Sequence, residues 1–102
     1  MAETDERAEV GSLGDVLAAI SDPIRLEMVR RMYADGGPTP CARLYDGVSK
    51  STASHHFKIL REAGVTDRSV IGGQTHQRLR LDDVEAAYPG VLSSILAVPP
   101  AR

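Results

Sequence analysis

Apolar residues in the first third of the chain recur at the three- and four-residue spacing of helices. Ser12 to Asp15 has the S-x-x-D shape of a helix start, and the apolar residues after it predict a first helix to about residue 20. Asp22 and Pro23 restart the chain, because Asp accepts hydrogen bonds from first-turn amides and Pro suits the first helical position. A second helix is therefore predicted from Pro23 to about residue 34, ended by the Asp-Gly-Gly-Pro run at 35–38.

The middle of the chain predicts a short helix and then a long one. Residues 40–46 have the composition of a short third helix. Ser49 is typical of an N-cap, and Gly64 of a helix end, so a fourth helix is predicted over residues 50–63. One apolar stripe of this helix is expected to face the core: Ala53, Phe57, Leu60 and Ala63.

The remaining chain predicts a hairpin and two short helices. Gly72-Gly73 between two β-prone runs indicates a tight turn, in a hairpin spanning residues 66–81. Asp82 and Asp83 favour a capped helix start, and Pro89 separates that helix from a last one. The predicted fold class is mainly α with a β-hairpin wing, which is the plan of a winged helix-turn-helix. Pattern alone leaves this as one topology among several.

Length and composition indicate a single domain. The chain has 102 residues, 42% of them apolar and 25% charged, as is usual for a soluble globular domain. No apolar run approaches the roughly 18 residues of a membrane span, and the acidic N-terminus lacks the apolar segment of a signal peptide. Cys41 is the only cysteine, so no internal disulfide can form. These features predict a cytoplasmic protein.

Charge is unevenly distributed along the chain. Residues 1–22 carry six acids and one base, whereas residues 43–80 carry seven bases, three acids and all three histidines. A basic middle indicates an anionic partner, although a mixed solvated surface is the alternative, and charge alone does not decide. With four aromatic residues in all, the chain lacks the platforms on which single-strand binders stack bases.

The stretch from Val48 to Val65, V-S-K-S-T-A-S-H-H-F-K-I-L-R-E-A-G-V, closely resembles the recognition-helix motif of the ArsR/SmtB family of winged-helix repressors. The run from Ser21 to Leu26 is similar to the family's D-P-x-R-L start of the second helix. The Gly-Gly hairpin resembles its wing, and residues 82–96 occupy the place of its C-terminal dimerisation helix. The resemblance covers about residues 12–97. It implies a sequence-specific transcriptional regulator, a repressor that binds an inverted-repeat operator as a homodimer.

This resemblance assigns base readout to residues of the fourth predicted helix. Short polar and cationic side chains suit a major groove about 12 Å wide. The predicted DNA-contacting residues are Ser49, Lys50, Ser51, Thr52, Ser54, His55 and Lys58 on the helix, and Arg68, Gln74, His76 and Arg78 on the wing. The alternatives are a polar helix face in water and ordinary solvating charges on the hairpin. His56 and Phe57 are expected to pack in the core, and Arg80 to be structural.

A homodimer is expected because one protomer reads only a half-site. The first and last helices carry more apolar residues than a small domain easily hides, and the family dimerises through these two helices. The predicted interface comprises Leu13, Val16, Leu17, Ile20, Val91, Leu92, Ile95 and Leu96. Covering the core of the protomer is the alternative role for these side chains.

No metal site, cofactor or catalytic centre is predicted. The family's cysteine pair is reduced here to Cys41, and the carboxylates of residues 82–85 have no histidine after His76. Those carboxylates are better explained as helix caps, and Cys41 as inert packing rather than a redox switch. No nucleophile, base and orienting group combine as an enzyme would require, so the chain is not expected to be an enzyme.

The predicted organisation is an acidic flexible arm at residues 1–11, a DNA-binding and dimerisation domain at 12–97, and a tail at 98–102. Double-stranded DNA and a second copy are the expected partners, with no membrane. A winged-helix module that binds protein rather than DNA is the alternative function, supported by the net charge of −2.

Overall fold

Capping residues set the ends of the helices in the first half of the chain. The computed structural model describes residues 3–4 and 9–100. The helices are α1 (Leu13–Ser21), α2 (Pro23–Asp35), α3 (Lys50–Glu62), α4 (Leu81–Ala87) and α5 (Val91–Ala97). The strands are β1 (Glu3–Thr4), β2 (Thr39–Pro40), β3 (Thr66–Ile71) and β4 (Gln74–Leu79). The predicted caps Ser12, Asp22 and Ser49 each accept a hydrogen bond from a first-turn backbone N–H.

The predicted hairpin forms the centre of an antiparallel sheet. Gly72 and Gly73 join β3 to β4, and both have positive φ, at 59° and 78°. A two-residue hairpin turn of type I′ needs this conformation, which a side chain would strain. Within the described residues the sheet has the order β1-β3-β4-β2. The predicted class, mainly α with a hairpin wing, is confirmed.

The predicted third helix at residues 40–46 is wrong. Thr39 and Pro40 form β2 and pair with Gln77 and His76 of β4, and only a single turn of 3₁₀ helix follows, over Cys41–Arg43. Pro40 lacks a backbone N–H, which an edge strand tolerates. Hydrogen bonds to β4 thus satisfy backbone groups that would otherwise need helical hydrogen bonds.

Part of the segment predicted as a flexible arm, residues 1–11, forms a strand. Glu3 and Thr4 pair with Val70 and Ser69 of the wing, because the outer edge of β3 offers free backbone groups to an added strand. Residues 1–2 and 5–8 lie outside the described residues. The predicted domain bounds remain predictions.

A close backbone approach at Gly64 holds the segment before α1. Gly64 has a φ of +79°, and a Cβ there would lie 2.5 Å from the carbonyl oxygen of Glu9. The Gly11 N–H donates to the Ala63 carbonyl at 2.9 Å, and the Tyr88 hydroxyl donates to the Gly11 carbonyl at 2.6 Å. Gly64 therefore ends α3 and also lets the N-terminal segment cross it.

The core lies between the helices and the inner face of the hairpin. The predicted α3 stripe is buried, with Leu60 fully inaccessible and Phe57 4% exposed. Val16, Met28 and Met32 pack into the same cluster from α1 and α2, and the cluster also includes Leu44, Val65, Val84 and Leu92. None of the helices within residues 9–100 has the length and apolar character needed to cross a membrane.

The guanidinium of Arg25 joins the first three helices. From α2, its Nε and Nη2 donate to the carbonyls of Ala19 and Ala18 at the end of α1. Its Nη1 lies 2.9 Å from Nδ1 of His56, on α3. Since a guanidinium only donates, His56 accepts at Nδ1 and carries its proton on Nε2. One planar group thus satisfies carbonyls of α1 and fixes α3 against α2.

The carboxylates that follow the hairpin do not cap α4, in contrast to the prediction for Asp82 and Asp83. The first turn of α4 has no side-chain cap, and Asp83 instead accepts a 3.0 Å hydrogen bond from Arg80. Glu85 caps the next helix, accepting from the backbone N–H groups of Leu92 and Ser93 and from the Ser93 hydroxyl at 2.8 Å. The Ser93 hydroxyl bond outweighs desolvation, and with these backbone bonds it lowers the pKa of the Glu85 carboxyl.

We expect Arg25→Met to lower the free energy of unfolding by about 1–3 kcal/mol, because it leaves His56 Nδ1 and the Ala19 carbonyl without the donors that Arg25 supplies. Urea denaturation followed by circular dichroism measures the loss. Arg30→Met is the matched control on the same helix. Arg30 makes one exposed hydrogen bond, to the Val98 carbonyl, so its loss should stay within about 0.5 kcal/mol. Equal losses in the two variants would contradict the central position given to Arg25.

We expect Asp22→Asn to show a pH-dependent loss of stability. Burial opposes ionisation of Asp22, but the backbone N–H bonds of Arg25 and Ile24, with the charge of Arg25, outweigh it and lower the pKa of the carboxyl below 3.8. Ionised Asp22 therefore stabilises the fold above pH 3.8, and this contribution disappears as the pH falls through the lower folded-state value. Urea titrations should show a deficit of about 0.3–1 kcal/mol near neutral pH that shrinks in acid. A deficit that is independent of pH would contradict a charge effect.

Candidate nucleic-acid interface

The outward face of α3 is polar and cationic. The apolar stripe of this helix turns into the core, which leaves its remaining faces to solvent. The predicted base- and phosphate-contacting residues of α3 are all exposed: Lys50, Ser51, Thr52, Ser54, His55 and Lys58. The first turn contains no acid, so neither a side chain nor the helix dipole repels an approaching phosphate. The structure thus brings these predicted residues onto one accessible surface, and their DNA contacts remain predictions.

Ser49 is the N-cap of α3, in addition to its predicted contact with DNA. Its Oγ accepts from the Thr52 N–H at 3.1 Å and donates to the Thr52 Oγ1 at 3.0 Å. The Ser51 hydroxyl lies 3.2 Å from the Ser49 Oγ. These bonds order the first turn of α3 and hold its hydroxyl groups together at the end of the helix that would enter a groove.

His56 and Phe57 lie in the core, as predicted for both. His56 is 9% exposed and is held by Arg25, whereas its neighbour His55 faces solvent. Successive helical residues point about 100° apart, so only one of the two imidazoles can reach a base. The packed imidazole orients α3, and the exposed one is left for recognition.

The two faces of the wing separate the predicted wing residues. His76 and Arg78 lie on the outer face of β4, whereas Gln77 and Leu79 are buried on its inner face, and Gln74 is exposed at the tip of the hairpin. His76 Nδ1 donates to the Gln74 carbonyl at 2.9 Å. The Arg78 guanidinium donates to the carboxylate of Asp67 at 2.7 Å, and Asp67 is buried. Part of the Arg78 charge is thereby balanced within the protein, which the sequence pattern did not reveal.

Arg80 does not continue the outer face with Arg78. Strand β4 ends at Leu79, and Arg80 is 7% exposed and bonded to Asp83. Its backbone N–H also donates to the Val65 carbonyl at 2.8 Å. The structural role expected for Arg80 is confirmed, since its side chain joins the end of the wing to α4.

Arg68 lies on the opposite face of the wing from Arg78. It pairs across the hairpin with Gln77 and, with Lys50 and Arg61, lines a cleft of about 560 Å³ between α3 and the wing. Arg61 was missed as a candidate site residue. Its spacing from Lys50, Ser54 and Phe57 places all four on one side of α3, so helical periodicity could have found it.

Metal and redox chemistry find little support in the described residues. Residues 3–4 and 9–100 hold no group of three His, Cys, Asp or Glu side chains placed to bind a metal ion. Cys41 is half-buried, and burial raises the pKa of its thiol. A protonated thiol is a weak nucleophile, which agrees with a packing role.

Comparisons with known proteins agree with this architecture. A family model described as a helix-turn-helix domain matches residues 20–68. The uncharacterized HTH-type transcriptional regulator YceK of Bacillus subtilis (strain 168) is 34% identical over 82 residues, which cover 78% of this chain and 82% of that protein. The chain belongs to the helix-turn-helix transcriptional regulators of the ArsR/SmtB type.

A solved structure extends the likeness to the whole fold. The crystal structure of the transcriptional repressor BigR from Xylella fastidiosa aligns with a TM-score of 0.62 over 85% of this chain and 88% of that one, at 22% identity. This likeness shows the winged-helix fold. Membership of the regulator family makes the protein a DNA-binding transcriptional regulator, and the printed names of YceK and BigR refer to regulation rather than to catalysis.

Proposed function

We propose that this family member is a homodimeric repressor that binds an inverted-repeat operator, with α3 in the major groove and the hairpin over residues 66–81 as its wing. The single observation that carries the proposal is the exposed face of α3, where hydroxyl, imidazole and ammonium groups lie together beside a helix N-terminus free of acids. A surface of this chemistry suits base edges and phosphates better than it suits a protein partner.

Repression would follow from occupancy of a promoter. The BigR protein, which shares the fold, is titled a transcriptional repressor, and that description supports the same sign of regulation here. A two-fold dimer would place its two α3 helices about 34 Å apart, one turn of DNA, and so would read an inverted repeat.

Only part of the predicted dimer interface is available on the surface. Val16, Ile20 and Leu92 are at most 4% exposed within one protomer, so the sequence prediction for these three is corrected to core packing. Leu13 and Leu17, one helical turn apart on α1, are 42% and 41% exposed. On α5, Val91, Ile95 and Leu96 are half-buried. The proposed interface therefore rests on the outer faces of these two helices.

Two kinds of variant of α3 should separate phosphate contacts from base readout. Lys50→Gln is expected to weaken binding to every duplex and to reduce the slope of log affinity against log salt by about one unit, because it removes one phosphate contact. Ser54→Ala is expected to change base preference by about 1–3 kcal/mol at the position it reads. Mobility shifts over a salt series, on the DNA upstream of its own gene and on a scrambled duplex, measure both effects.

Arg43→Gln is the matched control for Lys50→Gln. Arg43 is an exposed cation beside Asp35, at 3.8 Å, and is not among the predicted DNA contacts. Its removal should leave the salt slope unchanged. An equal drop in slope for Arg43→Gln, or an equal loss on all sequences after Ser54→Ala, would contradict the assigned roles.

The dimer is tested by charging the outer face of α1. Leu13→Glu with Leu17→Glu should shift the protein from dimer to monomer in sedimentation velocity, because two carboxylates would be buried without partners in the apolar interface. Both positions are exposed in the protomer, so the fold should survive. Tyr33→Glu, at a position 51% exposed on α2, is the control and should remain dimeric. A dimer that persists undiminished in the double variant would overturn this interface.

A further inference from the structure

We propose that the cleft between α3 and the wing binds a small organic anion with a flat apolar body, of the aryl carboxylate class, and that its occupancy releases DNA. The release of DNA rests on the proposed function. The cleft itself is defined by the protein alone, as a space of about 560 Å³ enclosed by α3, the 3₁₀ turn at Cys41–Arg43 and the hairpin. Its size is within the roughly 300–1,000 Å³ of small-molecule sites.

The floor of the cleft is aromatic and apolar. Tyr45 and Phe57 meet edge to face there, with ring centroids 6.2 Å apart and planes at 69°. Half-buried Tyr45 is the accessible ring of this apolar wall, which Phe57 and Ala53, 4% and 1% exposed, close from α3. A planar hydrocarbon group gains dispersion contacts and loses hydrated surface against such a wall.

The rim of the cleft is cationic. Lys50, Arg61 and Arg68 line it from two sides, and no Asp or Glu within the described residues does so. Burial raises the pKa of the Cys41 thiol, which also lines the cleft, so it stays neutral near pH 7 and does not offset these charges. Convergent cations over an apolar floor select a ligand with one anionic end and one apolar end.

A buried amide closes the inner side of the cleft. Gln77 is 1% exposed on the inner face of β4 and accepts a 3.4 Å hydrogen bond from the Thr66 hydroxyl. A ligand entering between the cations would meet the half-buried ring of Tyr45, which distinguishes the cleft from a merely basic groove.

The position of the cleft couples a ligand to DNA binding. Lys50 and Ser54 line the cleft and also belong to the face of α3 assigned to DNA, and Gln74 does the same from the tip of the wing. An anion held by Lys50 withdraws that ammonium group from the DNA phosphates. A ligand and a DNA duplex would thus compete for the same groups, and each would weaken the binding of the other by the same factor.

Calorimetric titration of the DNA-free protein with 2-naphthoate tests the cleft without reference to the operator. Ala42 is exposed and lines the cleft, and Ala42→Trp should fill the space while leaving the predicted DNA contacts in place. We expect this variant to bind 2-naphthoate at least about tenfold more weakly. Ala87→Trp, at an exposed position of α4 outside the cleft, should bind like the unaltered protein. Circular dichroism and thermal melting verify that both variants fold.

Charge and shape are separated by matched probes. Arg61→Gln should weaken 2-naphthoate binding about tenfold, whereas Arg43→Gln, which removes the same charge outside the cleft, should not. Neutral 2-naphthol and acetate, which carry the shape and the charge alone, should both bind more weakly than 2-naphthoate. No binding of 2-naphthoate, or equal binding to the Ala42→Trp variant, would overturn the proposed site.

Mobility shifts on operator DNA then test regulation. 2-Naphthoate should release DNA from the unaltered protein and from the Ala87→Trp variant, but not from Ala42→Trp. If the calorimetric site is found and release does not occur, the regulatory half is overturned while the site stands. If 2-naphthoate does not bind and Ala42→Trp weakens DNA binding, the cleft receives a backbone phosphate of the duplex, and the effector assignment is overturned. A protein that binds 2-naphthoate but no DNA would instead overturn the proposed function.

Discussion

The hydrogen bonds of the Arg25 guanidinium are the constraint on which the arrangement of the helices depends. Helix α1 ends with carbonyl groups that its own backbone cannot satisfy, and Arg25 supplies donors to two of them from α2. The same planar group reaches His56 on α3, so one side chain connects α2 to the helix that is proposed to read DNA. Asp22 accepts hydrogen bonds from the backbone N–H groups of Ile24 and Arg25, which fixes the backbone from which the Arg25 side chain extends.

Packing and the proposed recognition of DNA use faces of α3 that lie only one residue apart. His56 is fixed in the core and His55 is left in solvent, so a rigid inner face presents a polar outer face without further support. Ser49 orders the first turn through its cap and its contact with the Thr52 hydroxyl. The groups proposed to read DNA are therefore held by the fold before DNA arrives, which lowers the entropic cost of binding.

The cations of the wing lie in different surroundings. Arg78 is drawn into an ion pair with the buried carboxylate of Asp67, and Arg80 is buried beside Asp83. Arg68 faces the other way, toward Lys50 and Arg61 across the cleft. The acidic N-terminal segment pairs by its backbone with the free edge of the wing at Ser69 and Val70, which brings a strand from the acidic part of the sequence next to the basic one.

Local signals in the sequence determined the elements and their ends. The caps at Ser12, Asp22 and Ser49 and the turn at Gly72-Gly73 act through residues near in sequence, and all of them are found as predicted. The exposed face of α3 likewise followed from helical periodicity, because the apolar stripe can only face the core. The family resemblance placed these elements in a winged helix, which periodicity alone had left open.

Tertiary structure decided what depends on partners distant in sequence. Thr39 and Pro40 became a strand rather than a helix because β4 offered an edge. Val16, Ile20 and Leu92 were absorbed by the core rather than left for a second protomer, since burial depends on which helices meet. The charge of Arg78 was balanced by Asp67 and the cleft was formed from three separate elements. No sequence pattern records these pairings, because each is made across the fold by residues whose spacing along the chain carries no periodicity.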